Sequence, residues 1–317
     1  MIRLLKFIAS AAALVLLVVS FLGFAGSNFW IFDLFNHFRV QFLVVSLVGV
    51  AFALVLRSGA LVGCYGGVGL CHLGFIAPLY FAPCDHAGER TASREISVVS
   101  YNTWARNDDW ESIKPVLGRG EPSLIYLTEL HPEIQTRIEE LKSEFHIFQE
   151  NSDAILVRRN AKLSPRLITN TEGDSLPGMV IAMGDEKMEL MFLGIHPAAP
   201  LSRDATRRRD KSFAAIASFL EEVDEMVIVV GDFNATPWSR PFRCLQKRTG
   251  LVNSQRGGGF QATWPSYPGS NLNWLLRIPI DHCLHSPEII TLDRSVGVAG
   301  KSNHNPIRVN LEIPVPR

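Results

Sequence analysis

Three uncharged stretches follow one another at the start of the chain. Residues 7–26 (FIASAAALVLLVVSFLGFAG) are apolar or small throughout and long enough to cross a bilayer as a helix. Residues 40–56, between Arg39 and Arg57, form a second stretch at the lower length limit for a span. Residues 58–84 form a third, rich in glycine and carrying His72 and Pro78. The pattern predicts membrane helices at about 7–26, 40–56 and 60–82, with residues 1–85 as an anchor. Gly63, Gly66, Gly67 and Gly69 predict a face that a neighbouring helix can approach closely. His72 reads as a neutral histidine hydrogen-bonded to an adjacent helix. The first stretch has the basic start (Arg3, Lys6) and the small residues (Ala25-Gly26-Ser27) of a signal peptide, but its apolar run is longer than a signal core. An uncleaved anchor is the preferred reading.

After a polar linker at 86–94 the pattern changes to short apolar runs separated by amphipathic segments, in a unit expected to span 95–317. Strands are predicted at Ile96–Tyr101, Ser123–Thr128, Asp153–Val157, Met179–Met183, Glu189–Ile195 and Met226–Val230. Further strands are expected at Pro279–Leu284, Ile289–Leu292 and Pro306–Ile313, and a hairpin turn at Gly184-Asp185. Helical spacing predicts helices over His131–Phe145 and Arg203–Val223, with a short one at Pro241–Thr249 that stops at Gly250. Strands and helices mix without strict alternation. An α+β core of two packed sheets flanked by helices fits this order best.

Charge narrows the function. Of 31 basic and 31 acidic residues, only Arg3, Lys6, Arg39, Arg57, Asp33 and Asp85 fall in the first 85 positions, so 27 bases and 29 acids remain beyond them. A surface built to grip nucleic acid without sequence preference carries a basic excess, and this one does not. The five cysteines form no C-x-x-C pair, which argues against a zinc site. Cys244 and Cys283 could pair in an oxidising compartment or stay free. Arg3 and Lys6 predict a cytoplasmic N-terminus and Arg57 a second cytoplasmic turn, so an odd number of spans delivers the following domain to the extracytoplasmic side.

Polar side chains recur where strands run out: Asn102, Glu129, His196, the pair Asp232 and Asn234, then Asp281 and His304. Carboxylates, carboxamides and imidazoles in such a set suit a Mg²⁺ or Mn²⁺ site that activates water. The phrases Gly231-Asp232-Phe233-Asn234 and Ser302-Asn303-His304-Asn305-Pro306, in this order and setting, resemble the endonuclease/exonuclease/phosphatase superfamily over roughly residues 94–314. Thr263-Trp264-Pro265 and Ile280-Asp281-His282 look closest to bacterial members with membrane spans ahead of the domain.

The resemblance implies a four-layer α/β/β/α sandwich and a metal-dependent phosphoesterase. It makes Glu129 the principal metal ligand with Asn102 beside it. Asp232 and Asn234 orient the attacking water, and His196 donates to a phosphoryl oxygen. Asp281 fixes the tautomer of His304 and raises its basicity. The family usually has an aspartate where Asn303 stands, so a metal contact at that position is weakened. Arg203 and Arg207, on the helix after His196, are candidates for substrate phosphate. Together with the spans, this points to a lipid-linked or head-group phosphate as substrate. A secreted-side nuclease and a non-catalytic phospho-ligand-binding membrane protein are the alternatives.

Overall fold

The computed structural model describes residues 1–24, 29–81, 92–168, 178–185, 188–270 and 273–315. Ala25-Gly26-Ser27, Cys84, Asp85 and most of the 86–94 linker lie outside the described residues. The chain begins with four helices, α1 (Ile2–Phe24), α2 (Trp30–His37), α3 (Arg39–Val55) and α4 (Gly59–Ile76), the last extended by a 3-10 turn at Ala77–Tyr80. Among the described residues, only α1 and the Gly59–Tyr80 segment are long and apolar enough by themselves to cross a membrane; α2 and α3 meet at a 64° bend.

These helices bury small residues at several of their contacts, beside Leu16, Leu61, Tyr65 and Val68, and leave many large apolar ones outside. Ala9, Ala13, Ser20, Gly23, Ser46 and Ala53 are buried between them, whereas Phe7, Leu14, Val15, Val44, Val48 and Leu70 are exposed. Three of the four glycines expected at a helix contact are not at one. A Cβ on Gly63, Gly66 or Gly67 would meet nothing within 4 Å, so these glycines do not make the contact. Gly69 does approach Ser46, and the tightest site is Gly49, where a Cβ would sit 2.3 Å from the Tyr65 ring. His72 bonds Ser20 Oγ across helices at 2.9 Å.

From Ser93 the chain builds two six-stranded mixed sheets. The first holds β1 (Ser93–Asn102), β2 (Leu124–Thr128), β3 (Phe145–Glu150), β4 (Asp153–Arg158), β11 (Ile290–Val296) and β12 (Ile307–Pro314), in the order β11-β12-β1-β2-β4-β3. The second holds β5 (Arg166–Ile168), β6 (Met179–Asp185), β7 (Met188–Ile195), β8 (Met226–Asp232), β9 (Val252–Asn253) and β10 (Asp281–His285), in the order β5-β6-β7-β8-β10-β9. Alternation along each strand decides what faces what. Ile96 and Val98 of β1 pack with Phe192, Ile228 and Val230 between the sheets. Val99 and Tyr101 point the other way, onto α5 (Trp110–Gly118) and α6 (Pro132–Arg137). The outer face of the second sheet is covered by α7 (Arg203–Leu220) and α8 (Arg240–Thr249), through Phe213, Ile216, Phe242 and Leu245. Each such buried side chain contributes about 1.5–3 kcal/mol. Gly250 ends α8 with φ +72°, as its position in the sequence implies.

Two elements depart from the sequence pattern. The segment His131–Phe145 is not one helix: α6 stops at Arg137, a 3-10 turn follows to Leu141, and Phe145 already belongs to β3. β6 continues through Gly184-Asp185, where a turn was expected, and residues 186–187 lie outside the described residues. Cys244 and Cys283 are both free, one exposed on α8 and the other buried in β10.

Candidate active site

In each sheet the two central strands run parallel, β1 beside β2 and β7 beside β8. Parallel strands bring their C-terminal ends to one edge, where side chains escape the ladder. Asn102 ends β1, Glu129 follows β2, His196 follows β7 and Asp232 ends β8. Thr103 locks the first pair of ends together, its N–H and hydroxyl both donating to Thr128 O. Asp281 joins from β10, directly opposite Asp232 in the antiparallel register.

The two sheets meet at Asn102. Its Nδ2 donates to Glu129 Oε1 at 2.9 Å and to Asp232 Oδ2 at 3.1 Å, while its Oδ1 accepts from Trp104 N. His196 Nε2 lies 3.5 Å from Glu129 Oε1 and 3.8 Å from Asp232 Oδ2. His304 bonds Asp281 Oδ2 through Nδ1 at 2.9 Å and turns Nε2 to within 3.6 Å of Asp232 Oδ2. Its loop is tied to β1 by the Ser302 hydroxyl, which donates to Asn102 O and accepts from His304 N. Asn234 donates its backbone N–H to Asp232 Oδ1 and its Nδ2 to Pro197 O, joining the β8 loop to the one after His196.

Backbone conformation is unusual around this cleft. Trp104, Glu129 and Asn234 hold φ of +66°, +53° and +47°, each costing on the order of 1–3 kcal/mol for a non-glycine residue. Gly231 sits at φ +145° with Ile195 O 1.9 Å from where a Cβ would be, so β8 can approach β7 this closely only through a glycine.

Burial and mutual charge set the protonation of the cluster. Burial pushes the Asp232 carboxyl up to about 6, Asp281 adding to the rise while His304 and His196 hold it down. Burial would lower His304, but Asp281, Asp232 and Glu129 outweigh it and raise the imidazole to about 9. Three carboxylates thus converge on two imidazoles, with Asp232, Asp281 and His304 buried and Glu129 and His196 half-buried at the open side. Glu129, His196 and Asp232 offer donor atoms within 4.8 Å of one another, and so do Asp232, Asp281 and His304. An oxygen-rich, net-negative donor set of this kind fits a hard divalent cation.

Seven of the ten residues singled out from sequence meet in this cluster: Asn102, Glu129, His196, Asp232, Asn234, Asp281 and His304. Asn303 lies in the same loop, its Oδ1 buried without a hydrogen-bond partner among the described residues. Arg203 and Arg207 do not join. Both are exposed on the first turns of α7, and neither makes a hydrogen bond or ion pair to a cluster residue among those described. It is Arg209 of the same basic run that turns inward, to Asp33 of α2 at 2.7 Å. Sequence reasoning missed the residues that hold the cluster in place. Thr263 Oγ1 accepts from Asp281 N, and Arg294 Nη2 donates to Asp281 O. Trp264, Tyr267 and Trp104 form a wall beside His304. The Thr263-Trp264-Pro265 phrase was a signal for part of this set; Arg294, in a strand read as ending at Leu292, had none.

The sequence matches the model of the Endonuclease/Exonuclease/phosphatase family over residues 99–304. The chain belongs to this family. It is a hydrolase of phosphate ester bonds, and the family works with a divalent metal ion. Solved structures of similar fold accompany the hydrolase. TDP2 of D. rerio, complexed with a single-strand DNA product, is 14% identical with a TM-score of 0.54, covering 68% of this chain and 98% of that one. The 3′ phosphatase NExo from Neisseria, bound to a product DNA hairpin, is 19% identical with a TM-score of 0.53 over 68% and 98%. A family protein from Bacteroides thetaiotaomicron is 16% identical with a TM-score of 0.52 over 70% and 99%. At these identities the likeness is one of fold. No curated protein matches the chain in sequence.

Proposed function

We propose that this hydrolase is anchored in a membrane by three spans and cleaves a lipid-linked or head-group phosphate on the extracytoplasmic side. Residues 1–85 would form the anchor, 86–94 the linker and 95–317 the catalytic unit. The observation that carries the chemistry is the buried Asp281–His304 pair, aimed through Nε2 at Asp232 and bordered by Glu129, Asn102 and His196. Glu129 and Asn102 would hold a Mg²⁺ or Mn²⁺ ion, with Asn303 nearby, and the ion would offset charge that builds on phosphoryl oxygen. Asp232 and Asn234 orient a water for in-line attack at phosphorus, with Asp232 positioned to take its proton. His196 donates to a phosphoryl oxygen. His304, held in one tautomer by Asp281, presents Nε2–H to the substrate as the bond to the leaving oxygen breaks.

Location supports the lipid reading. The catalytic β8 loop touches the anchor directly, with His37 Nδ1 3.2 Å from Thr236 Oγ1. Leu79 O, just past α4, accepts from Gly257 and Gly259 N–H. The anchor ends at Phe24, Arg39 and Ile76 gather on this side, as the Phe24–Phe75 and Asn36–Gly23 contacts attest. Arg3 and Lys6 sit at the far end of α1, which favours a cytoplasmic N-terminus. The test is turnover by the full chain in liposomes on lipid phosphates, lipid pyrophosphates and DNA. Lipid turnover exceeding DNA cleavage supports the proposal. Preferential strand cleavage would instead favour a nuclease, the reading encouraged by the DNA-bound neighbours NExo and TDP2. Ligand binding without turnover on any class would point to the non-catalytic alternative.

A further inference from the structure

Past the aromatic wall beside His304 the chain makes one turn of helix, α9 (Asn273–Leu276), whose apolar side chains are left exposed by the described residues. Trp274 is 69% exposed, Leu275 44% and Leu276 55%, so three consecutive large apolar residues face outward on a unit otherwise well packed. Isolated exposed apolar residues are ordinary, but a contiguous group marks a contact surface. The backbone around this turn is fastened to the anchor. Gln41, in the first turn of α3, donates Nε2 to Arg277 O at 3.1 Å and to Leu275 O at 3.3 Å. The turn is therefore held at the depth where α3 begins, which is the boundary between lipid and water if α3 spans. A tryptophan flanked by leucines is the composition that settles at that boundary.

The turn also connects inward. Trp264 and Ile278 pair across a short antiparallel bridge, and Arg277 Nε donates to Pro265 O at 3.2 Å. The Trp264 ring lies 6.4 Å from that of His304, and Tyr267 lies 6.4 Å from Trp264 and 6.0 Å from Trp104. The exposed turn is thus joined through the Arg277–Ile278 backbone to the Trp264–Tyr267 wall that borders the catalytic imidazole. On the other flank of the anchor, Phe29 and Ile31 beside α2 are also exposed, at 62% and 48%.

We infer that Trp274, Leu275 and Leu276 insert into the lipid bilayer beside the active-site mouth, making the catalytic unit itself a second membrane contact. This rests on the membrane-anchored reading above. The inserted turn fixes the cleft against the lipid surface, so a head-group phosphate reaches His304 along the Trp264–Tyr267 wall without its lipid leaving the membrane.

The test uses the full chain in phosphatidylcholine vesicles with brominated acyl chains, which quench tryptophan emission only at lipid depth. Of the six tryptophans, Trp30 and Trp238 also lie at the anchor's end, Trp238 packed against Ile76 and Leu79, so Trp274→Phe should remove about a third or more of the quenched emission. Trp110→Phe, at a site buried under the first sheet, should leave the quenched amount unchanged. Equal quenching in wild type and Trp274→Phe overturns the inference. Flotation of the same vesicles separates this from failure of the anchor: a chain that does not float with lipid overturns the anchored reading, whereas one that floats without the Trp274 signal overturns only the inserted turn.

Discussion

Asp281→Asn keeps the shape of the side chain and removes the charge that holds His304 through Nδ1. If the pair works as proposed, kcat should fall by about 10²–10⁴-fold with no loss of thermal stability, because the tautomer and the basicity of the imidazole are both set there. A kcat within twofold of wild type would remove the pair from the mechanism. Asn303→Asp places a carboxylate where a buried amide oxygen has no hydrogen-bond partner among the described residues. The magnesium concentration for half-maximal activity should drop by about tenfold, and an unchanged titration would exclude position 303 from metal binding. His282 gives a prediction about stability. Burial, helped by Arg294, lowers its imidazole to about 3, while in the unfolded chain it titrates near its ordinary value. The unfolded state therefore takes up a proton that the folded state refuses, and stability is lost as pH falls from about 6.5 towards 3. In His282→Gln, which can still donate to Ala235 O, denaturation in detergent should show an acid slope shallower by about 1.4 kcal/mol per pH unit. At this scale the sequence was most legible where a motif spelled out its neighbours. Asp232, Asn234 and His304 sit in such phrases. Thr263 and Arg294 support Asp281 from residues distant in sequence, and only the folded register reveals them.

The elements joining anchor and catalytic unit were the least legible. Asp33, Asn36 and His37 interrupt the apolar pattern between the first two predicted spans, and the pattern predicts no helix there. In the structure Trp30–His37 form α2, which buries those three polar residues and leaves its apolar ones half-buried or, at Ile31, exposed. A period of 3.6 predicts which face is apolar but not that the polar face is the one packed against protein. The helix is fixed by the Asp33–Arg209 ion pair, both residues being almost fully buried. Asp33→Ala leaves the Arg209 guanidinium with only Asp210 and should destabilise the docked state by about 3 kcal/mol, visible as earlier thermal unfolding and faster proteolysis. Asp33→Leu combined with Arg209→Met should recover most of that loss, since no unpaired charge remains buried. Equal stability of wild type and Asp33→Ala would show that α2 is not docked through this pair. Two other elements were obscured for local reasons. Pro115 inside α5 breaks the usual helix signal, and the spacing of Ile134, Ile138 and Leu141 extended a helix into what is a 3-10 turn followed by β3.

For the whole molecule, the order of strands and helices was enough to anticipate two packed sheets flanked by helices, because alternation within each strand requires two covered faces. The closeness of the anchor to the cleft was not readable, since it depends on pairs such as His37–Thr236 and Gln41–Arg277 that lie some 200 residues apart in sequence. Those contacts turn an ordinary family fold into one whose reaction is proposed to take place against a lipid surface. The account stands on the cluster around Asp232 and His304 being a metal-dependent phosphoesterase centre. The most direct measurement is release of head-group phosphate by the full chain in liposomes, with Mg²⁺ and with chelator, in wild type and His304→Ala. The account predicts turnover that stops with chelator, returns with Mg²⁺, and falls by about 10³-fold or more in His304→Ala. Turnover that is indifferent to chelator, or that survives in His304→Ala at the wild-type rate, would contradict it.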